Sequence, residues 1–85
     1  MPGIKTEELL DRIRKGNFKT IRLKAVQSKS FIMMLEGEDD TFMHEDSHGC
    51  IKEYPKAEHA LIWLKRMTKL NEAVLDITLW QVDDK

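Results

Sequence analysis

After the stop at Gly16, from Phe18, the hydrophobic period of this chain changes from that of a helix to the two-residue period of a strand. Ile21, Leu23 and Ala25 alternate with Thr20, Arg22 and Lys24, which predicts a half-buried strand. Ser30 to Glu36 predicts a second strand, after a turn at Gln27 to Ser30. The cluster Gly37-Glu38-Asp39-Asp40 turns the chain again into a third strand, Thr41 to Glu45. Strands joined by short turns pair as antiparallel neighbours, so the middle of the chain is read as a three-stranded meander.

Cross-strand partners share a face, so loop length decides whether apolar meets apolar. A two-residue loop at Ser28-Lys29 sets Arg22 opposite Leu35 and Ile21 opposite Glu36. A three-residue loop, Ser28 to Ser30, sets Leu23 opposite Leu35, Ala25 opposite Met33 and Arg22 opposite Glu36, and is preferred. This alignment aims Val26, Ile32 and Met34 away from the main core. Phe42 and Met43 must point to opposite sides, with Met43 assigned outward, and Trp80 is added to the same outward set.

The flanking segments read as helix, helix and strand. Thr6 is a predicted N-cap, Glu7 and Glu8 occupy the first turn, and Leu9, Leu10 and Ile13 form an apolar stripe that Gly16 terminates. Asp46-Ser47-His48-Gly49 is a turn, and Cys50 to Tyr54 a short extended segment. Pro55 opens a second helix with Ala57, Ala60, Leu61, Leu64 and Met67 inward, Ile62 and Trp63 flanking the stripe, and Asn71 as terminator. Ala73 to Trp80 alternates cleanly and predicts a last strand, with Ala73, Leu75, Ile77 and Leu79 on one side. The expected fold class is α+β: helix, antiparallel three-stranded meander, helix, strand (α-β-β-β-α-β), with both helices packing on the sheet.

Eighty-five residues set a single domain over 1–85, with an ordered core at about 6–80 and a frayed tail at 81–85. A composition 41% hydrophobic and 34% charged is that of a globular chain. No apolar run approaches the roughly 20 residues of a membrane span, and the N-terminus lacks the pattern of a signal peptide, so the expected location is the cytoplasm. Cys50 is the one cysteine and has no internal disulfide partner. Charge is uneven: residues 1–24 carry seven Lys/Arg against three Asp/Glu, and residues 25–53 carry two against seven.

The helix ending at Gly16, the hairpin, the Asp46-Ser47-His48-Gly49 turn, Tyr54 before Glu58-His59-Ala60, and the closing Glu72-Ala73-Val74-Leu75 together resemble a family of small uncharacterised bacterial proteins, mostly proteobacterial, catalogued as a domain of unknown function. The resemblance runs from about Thr6 to Trp80. It implies the fold and no activity, cofactor or catalytic residue. Where the family usually has Ser or Thr before the second helix, this chain has Pro55-Lys56.

Three residue sets are candidates for a site. His44, Asp46, His48 and Cys50 are competent metal ligands, but no recognised zinc spacing is present and no second ligand cluster exists elsewhere, so a polar turn with a small buried cysteine after it is favoured and no metal or other cofactor is expected. A Cys50 nucleophile assisted by His48 lacks a third, orienting group, and the sequence suggests no reaction class; the chain is read as not an enzyme. His59 reads as a surface residue of the second helix. Arg12, Arg14, Lys15, Lys19, Arg22 and Lys24 form a basic segment that keeps weak nucleic-acid binding as the alternative function, while the overall charge of −1 argues against a dedicated binder. Val26, Ile32, Met34, Met43 and Trp80 form the expected apolar interaction face, unless the first helix covers it. The leading expectation is a protein-interaction module using an apolar sheet face or edge, with a homodimer or an unknown protein as partner.

Overall fold

The computed structural model describes residues 2–26 and 29–81. Gly3–Lys5 form strand β1, which leads directly into helix α1, Thr6–Lys15. β1 escapes the sequence reading because three residues after Pro2 show no period; its only signal is Ile4, apolar and 1% exposed. α1 ends at Gly16 as expected, with φ at 70° and the Gly16 N–H reaching the carbonyls of Arg12 and Ile13. Its N-cap is Lys5 and not Thr6. The Thr6 hydroxyl instead bonds Nε2 of His44 at 2.8 Å, which takes it away from the first-turn amides.

The meander is present: Thr20–Ala25 (β2), Phe31–Glu36 (β3) and Thr41–Glu45 (β4), with β3 antiparallel to both neighbours. Ile21 lies opposite Leu35, Leu23 opposite Met33 and Ala25 opposite Phe31. This register is two residues away from the expected one. Lys29 takes a left-handed conformation (φ 68°), and Val26 N–H donates to the Ser30 carbonyl at 2.8 Å, so the turn closes earlier and Ser30 is paired, not looped. Gln27 and Ser28 of the expected turn lie outside the described residues. An even shift leaves every side chain on its expected face, and pairing small Ala25 with Phe31 suits the packing.

Glu53–Tyr54 (β5) pairs with the first half of β3, while β4 pairs with its second half. Helix α2 spans Ala57–Met67 and starts at Lys56 without a side-chain cap. It ends at Thr68, earlier than Asn71, with the Thr68 hydroxyl donating to the Leu64 carbonyl at 2.7 Å. Val74–Asp76 form β6.

The strand order is β1-β4-β3-β2-β6, with β5 beside β3. β1 runs parallel to β4 and β6 parallel to β2, so the sheet is mixed, correcting the purely antiparallel expectation. The element order is β-α-β-β-β-β-α-β. Helical crossovers are what allow parallel neighbours, and a helix lies on the path between the two strands of each parallel pair.

One core cluster joins Leu9 and Ile13 of α1 and Ala60 and Leu64 of α2 with Ile21, Leu23, Ala25, Phe31, Met33 and Leu35. Both helices therefore cover the same sheet face. The α2 stripe is narrower than expected: Ala60 and Leu64 are buried, but Leu61 and Met67 are 42% and 38% exposed. Trp63 packs against the core margin as expected.

The last strand is shorter than the alternation Ala73–Trp80 predicts. The Asp76 carboxylate accepts from the Thr78 N–H at 3.0 Å and from its hydroxyl at 2.7 Å, and Trp80 N–H donates to the Ile77 carbonyl. This local turn competes with the ladder and ends β6 at Asp76.

Candidate functional site at the C-terminal sheet edge

The face opposite the helices carries Ile32, Met34 and Met43, as the sequence reading expects, but it is not a bare apolar patch. Ile32 and Met34 are 9% and 6% exposed although they belong to no helix-covered cluster. Ile32 lies between Lys24 and Glu53, and Met34 between Arg22 and Met43. The Arg22 guanidinium reaches diagonally to Glu36 at 2.8 and 3.4 Å and approaches Asp76 at 3.9 Å. Long polar side chains with aliphatic stems thus shield the central residues. Val26 and Met43 are half-buried, and Trp80 is not on this face at all. Two of the three buried residues of α1, Leu9 and Ile13, join the core on the other face.

The metal candidates are separated. His44 faces inward beside Ile4, 1% exposed, with Nε2 on the Thr6 hydroxyl and Nδ1 3.3 Å from the Tyr54 hydroxyl. Its ring lies 5.3 Å from that of Trp63. Burial, helped by the charge of Lys52, lowers its pKa from 6.5 to about 4, so it is neutral near pH 7. Burial likewise pushes the Tyr54 phenol up to about 12. The inward aim of His44 was open to recognition, since Phe42 and His44 both share the face of Leu35. His48 and Cys50, by contrast, sit exposed on the loop, which corrects the expectation of a buried cysteine. The Asp46 carboxylate is occupied by the N–H groups of His48 and Cys50 at 2.8 and 3.0 Å, with the Cys50 bond the main reason its pKa is lowered. Gly49, at φ 83°, supplies the left-handed step. Among the described residues no group of three metal-competent side chains converges.

The basic segment is divided between two layers. Arg22 and Lys24 lie on the open sheet face, whereas Arg12, Arg14 and Lys15 belong to α1. Arg12 sits 4.7 Å over the Phe42 ring and pairs with Glu8. Arg14 donates to the Met67 carbonyl at 2.9 Å, tying the end of α1 to the end of α2. Lys15 pairs with Asp11 at 3.1 Å. Arg12, Arg14, Lys15 and Arg22 are thus each engaged in a contact within the chain, and Lys19 is exposed between the two layers in sequence.

The exposed apolar surface lies elsewhere. Val74, Leu75, Ile77, Leu79 and Trp80 are 41–52% exposed, in and just after β6. β6 is the terminal strand of the sheet, and among the described residues no strand pairs with its outer side. Leu75 lies opposite Leu23 and so on the helix-bearing face. Leu75, Ile77 and Trp80 border a groove of about 460 Å³ whose other wall is Phe31, Pro55 and Ala57, with Lys29 and Lys56 beside it. Only Trp80 of this set was anticipated. The signal for the others was Asp76-Ile77-Thr78, a turn sequence lodged in the predicted strand.

Comparisons with protein-family models, with curated proteins and with solved structures find no match for this chain. Among the described residues no helix is long and apolar enough to cross a membrane.

Proposed function

We propose that this protein is a small non-enzymatic protein-interaction module whose contact surface is the C-terminal sheet edge, β6 with the apolar segment directly after it. The observation that supports this is the concentration of large apolar side chains at Val74, Leu75, Ile77, Leu79 and Trp80, each at least 41% exposed, on and just after a strand whose outer side is open among the described residues. A short edge strand of this kind is usually blunted by charge or covered. Here Asp76 is the only charged residue of β6, and its carboxylate is directed to Thr78 and Arg22. Backbone addition to the open edge would supply affinity, and the groove beside Phe31 and Ala57 would select an apolar side chain.

The test is affinity capture from cells producing the protein, combined with sedimentation across a concentration range. The expected outcome is a specific partner, or self-association, that disappears in the double variant Leu75→Lys, Ile77→Lys and survives in Lys5→Glu, at the opposite edge. Identical behaviour of wild type and the double variant in both measurements would remove this edge as the contact surface.

A further inference from the structure

We infer that the occupant of the β6 edge is a second copy of this chain, added antiparallel about a two-fold axis through Leu75, so that two sheets become one continuous sheet. The inference rests on the edge being the contact surface, and it adds the partner and the register.

Symmetry leaves few alignments. A two-fold axis normal to the sheet keeps the helix-bearing faces of both copies on the same side, so the axis must pass between a residue and itself. Centring on Asp76 places two carboxylates directly opposite each other. Centring on Val74 places Asp76 opposite Glu72 of the second copy, again like charges, which is destabilising. Centring on Ile77 requires Thr78 and Leu79 in the ladder, but they are committed to the turn held by Asp76 and by the Trp80–Ile77 bond.

Centring on Leu75 keeps the ladder within Val74–Asp76, sets no two carboxylates opposite each other, and needs neither Thr78 nor Leu79. On the helix-bearing face Leu75 faces Leu75, and small Ala73 faces Ile77 in both directions. On the open face Val74 faces Asp76 in both directions, while each Asp76 keeps its own Arg22 at 3.9 Å. Asp76 already stands below the usual carboxylate range, chiefly because it accepts the Thr78 N–H. The exposed parts of Val74, Leu75, Ile77, Leu79 and Trp80 amount to roughly 400 Å² of apolar surface per chain, about half of the ~800 Å² each partner buries in a standard interface. The rest would come from backbone and from the neighbouring edge, where Leu61 is also 42% exposed.

The experiment is a cysteine scan in a Cys50→Ser background, under mild oxidation, with sedimentation of the wild-type chain alongside. In the inferred register Leu75 faces its copy at a Cα separation of about 4.5–5.5 Å, within disulfide range, whichever kind of antiparallel pair forms. Residues 74 and 76 stand about 8 Å from their own copies, beyond that range. The expected result is a wild-type dimer, with Leu75→Cys cross-linking at least tenfold faster than Val74→Cys or Asp76→Cys. A dimer in which the three positions link equally, or 74 and 76 link faster, overturns the register. A wild-type monomer at high micromolar concentration overturns the second copy as occupant. Capture of a different partner, lost in the Leu75→Lys, Ile77→Lys variant, would then leave the edge as contact surface and remove only this inference.

Discussion

β1 and β6 are built to the same plan and end in opposite states. Each is three residues long, each joins the sheet in parallel, and each lies at one end of the strand order. Yet the central residue of β1, Ile4, is 1% exposed, while its counterpart in β6, Leu75, is 50% exposed. The next element along the chain accounts for the difference. β1 runs straight into α1, whose Leu9 and Ile13 join Ile4 in the core cluster. The strand is further tied by Lys5, which pairs with Glu45 at 3.6 Å and reaches the Asp46 carbonyl. Gly3 even leaves the space that the Glu45 side chain occupies. β6 gives way to a turn and no helix, so nothing in the described chain descends on Leu75. Strand pairing alone does not bury a strand; the element after it does.

Truncation at the two centres should expose that contrast first. Ile4→Ala should cost about 2–5 kcal/mol, as for a fully buried aliphatic in a packed core, read from urea unfolding midpoints at unchanged slope. A loss below about 1 kcal/mol would mean that β1 is not part of the cooperative core.

Acid should weaken the β1 side specifically, because His44 is bonded to Thr6 where β1 becomes α1. Above pH 6.5 the imidazole is neutral in both folded and unfolded chains, and stability does not respond to it. Between 6.5 and about 4 the unfolded chain binds a proton that the folded chain refuses. Stability should therefore fall as pH drops through this window, by about 3 kcal/mol in all. Asp46 and Asp76, both lowered below the ordinary carboxylate value of 3.8, titrate beneath it. Unfolding measured from pH 7.5 to 4 should show the slope in wild type and not in His44→Asn; equal slopes would show that His44 does not carry it.

The smallest effect belongs to β6. Leu75→Ala should change the stability of the dilute chain by no more than about 0.5 kcal/mol, since the residue is half exposed. A larger loss, confined to high protein concentration, would report burial of Leu75 in an assembly.

The sequence made the meander legible because Ile21, Leu23 and Ala25 repeat the side-chain period of a sheet and turn residues punctuate it. The faces were legible too: Ile32 and Met34 do point away from the helices. Their shielding was not, because the cover comes from Arg22 and Lys24 on the neighbouring strand, with Glu36 of β3 itself holding Arg22 in place, and side-chain reach has no one-dimensional signature. β1 was hidden by its brevity. The end of β6 was misread because period outweighed a local competitor, the Asp76–Thr78 turn. The same turn leaves Ile77, Leu79 and Trp80 exposed beyond the end of the strand, where the alternation alone would have placed them within it.

The parallel pairings also set an order of assembly. β2 meets β3 across a single turn, whereas Ile4 waits for His44 and Leu23 waits for Leu75. Contacts so distant along the chain are slow to form because a long loop must close first. During synthesis the outer side of β2 therefore stays open until the C-terminal residues have been made. A second nascent chain can offer its own β6 to that opening, so exchange of the C-terminal strand between molecules is the misassembly this topology invites, and refolding at high concentration is where it should emerge.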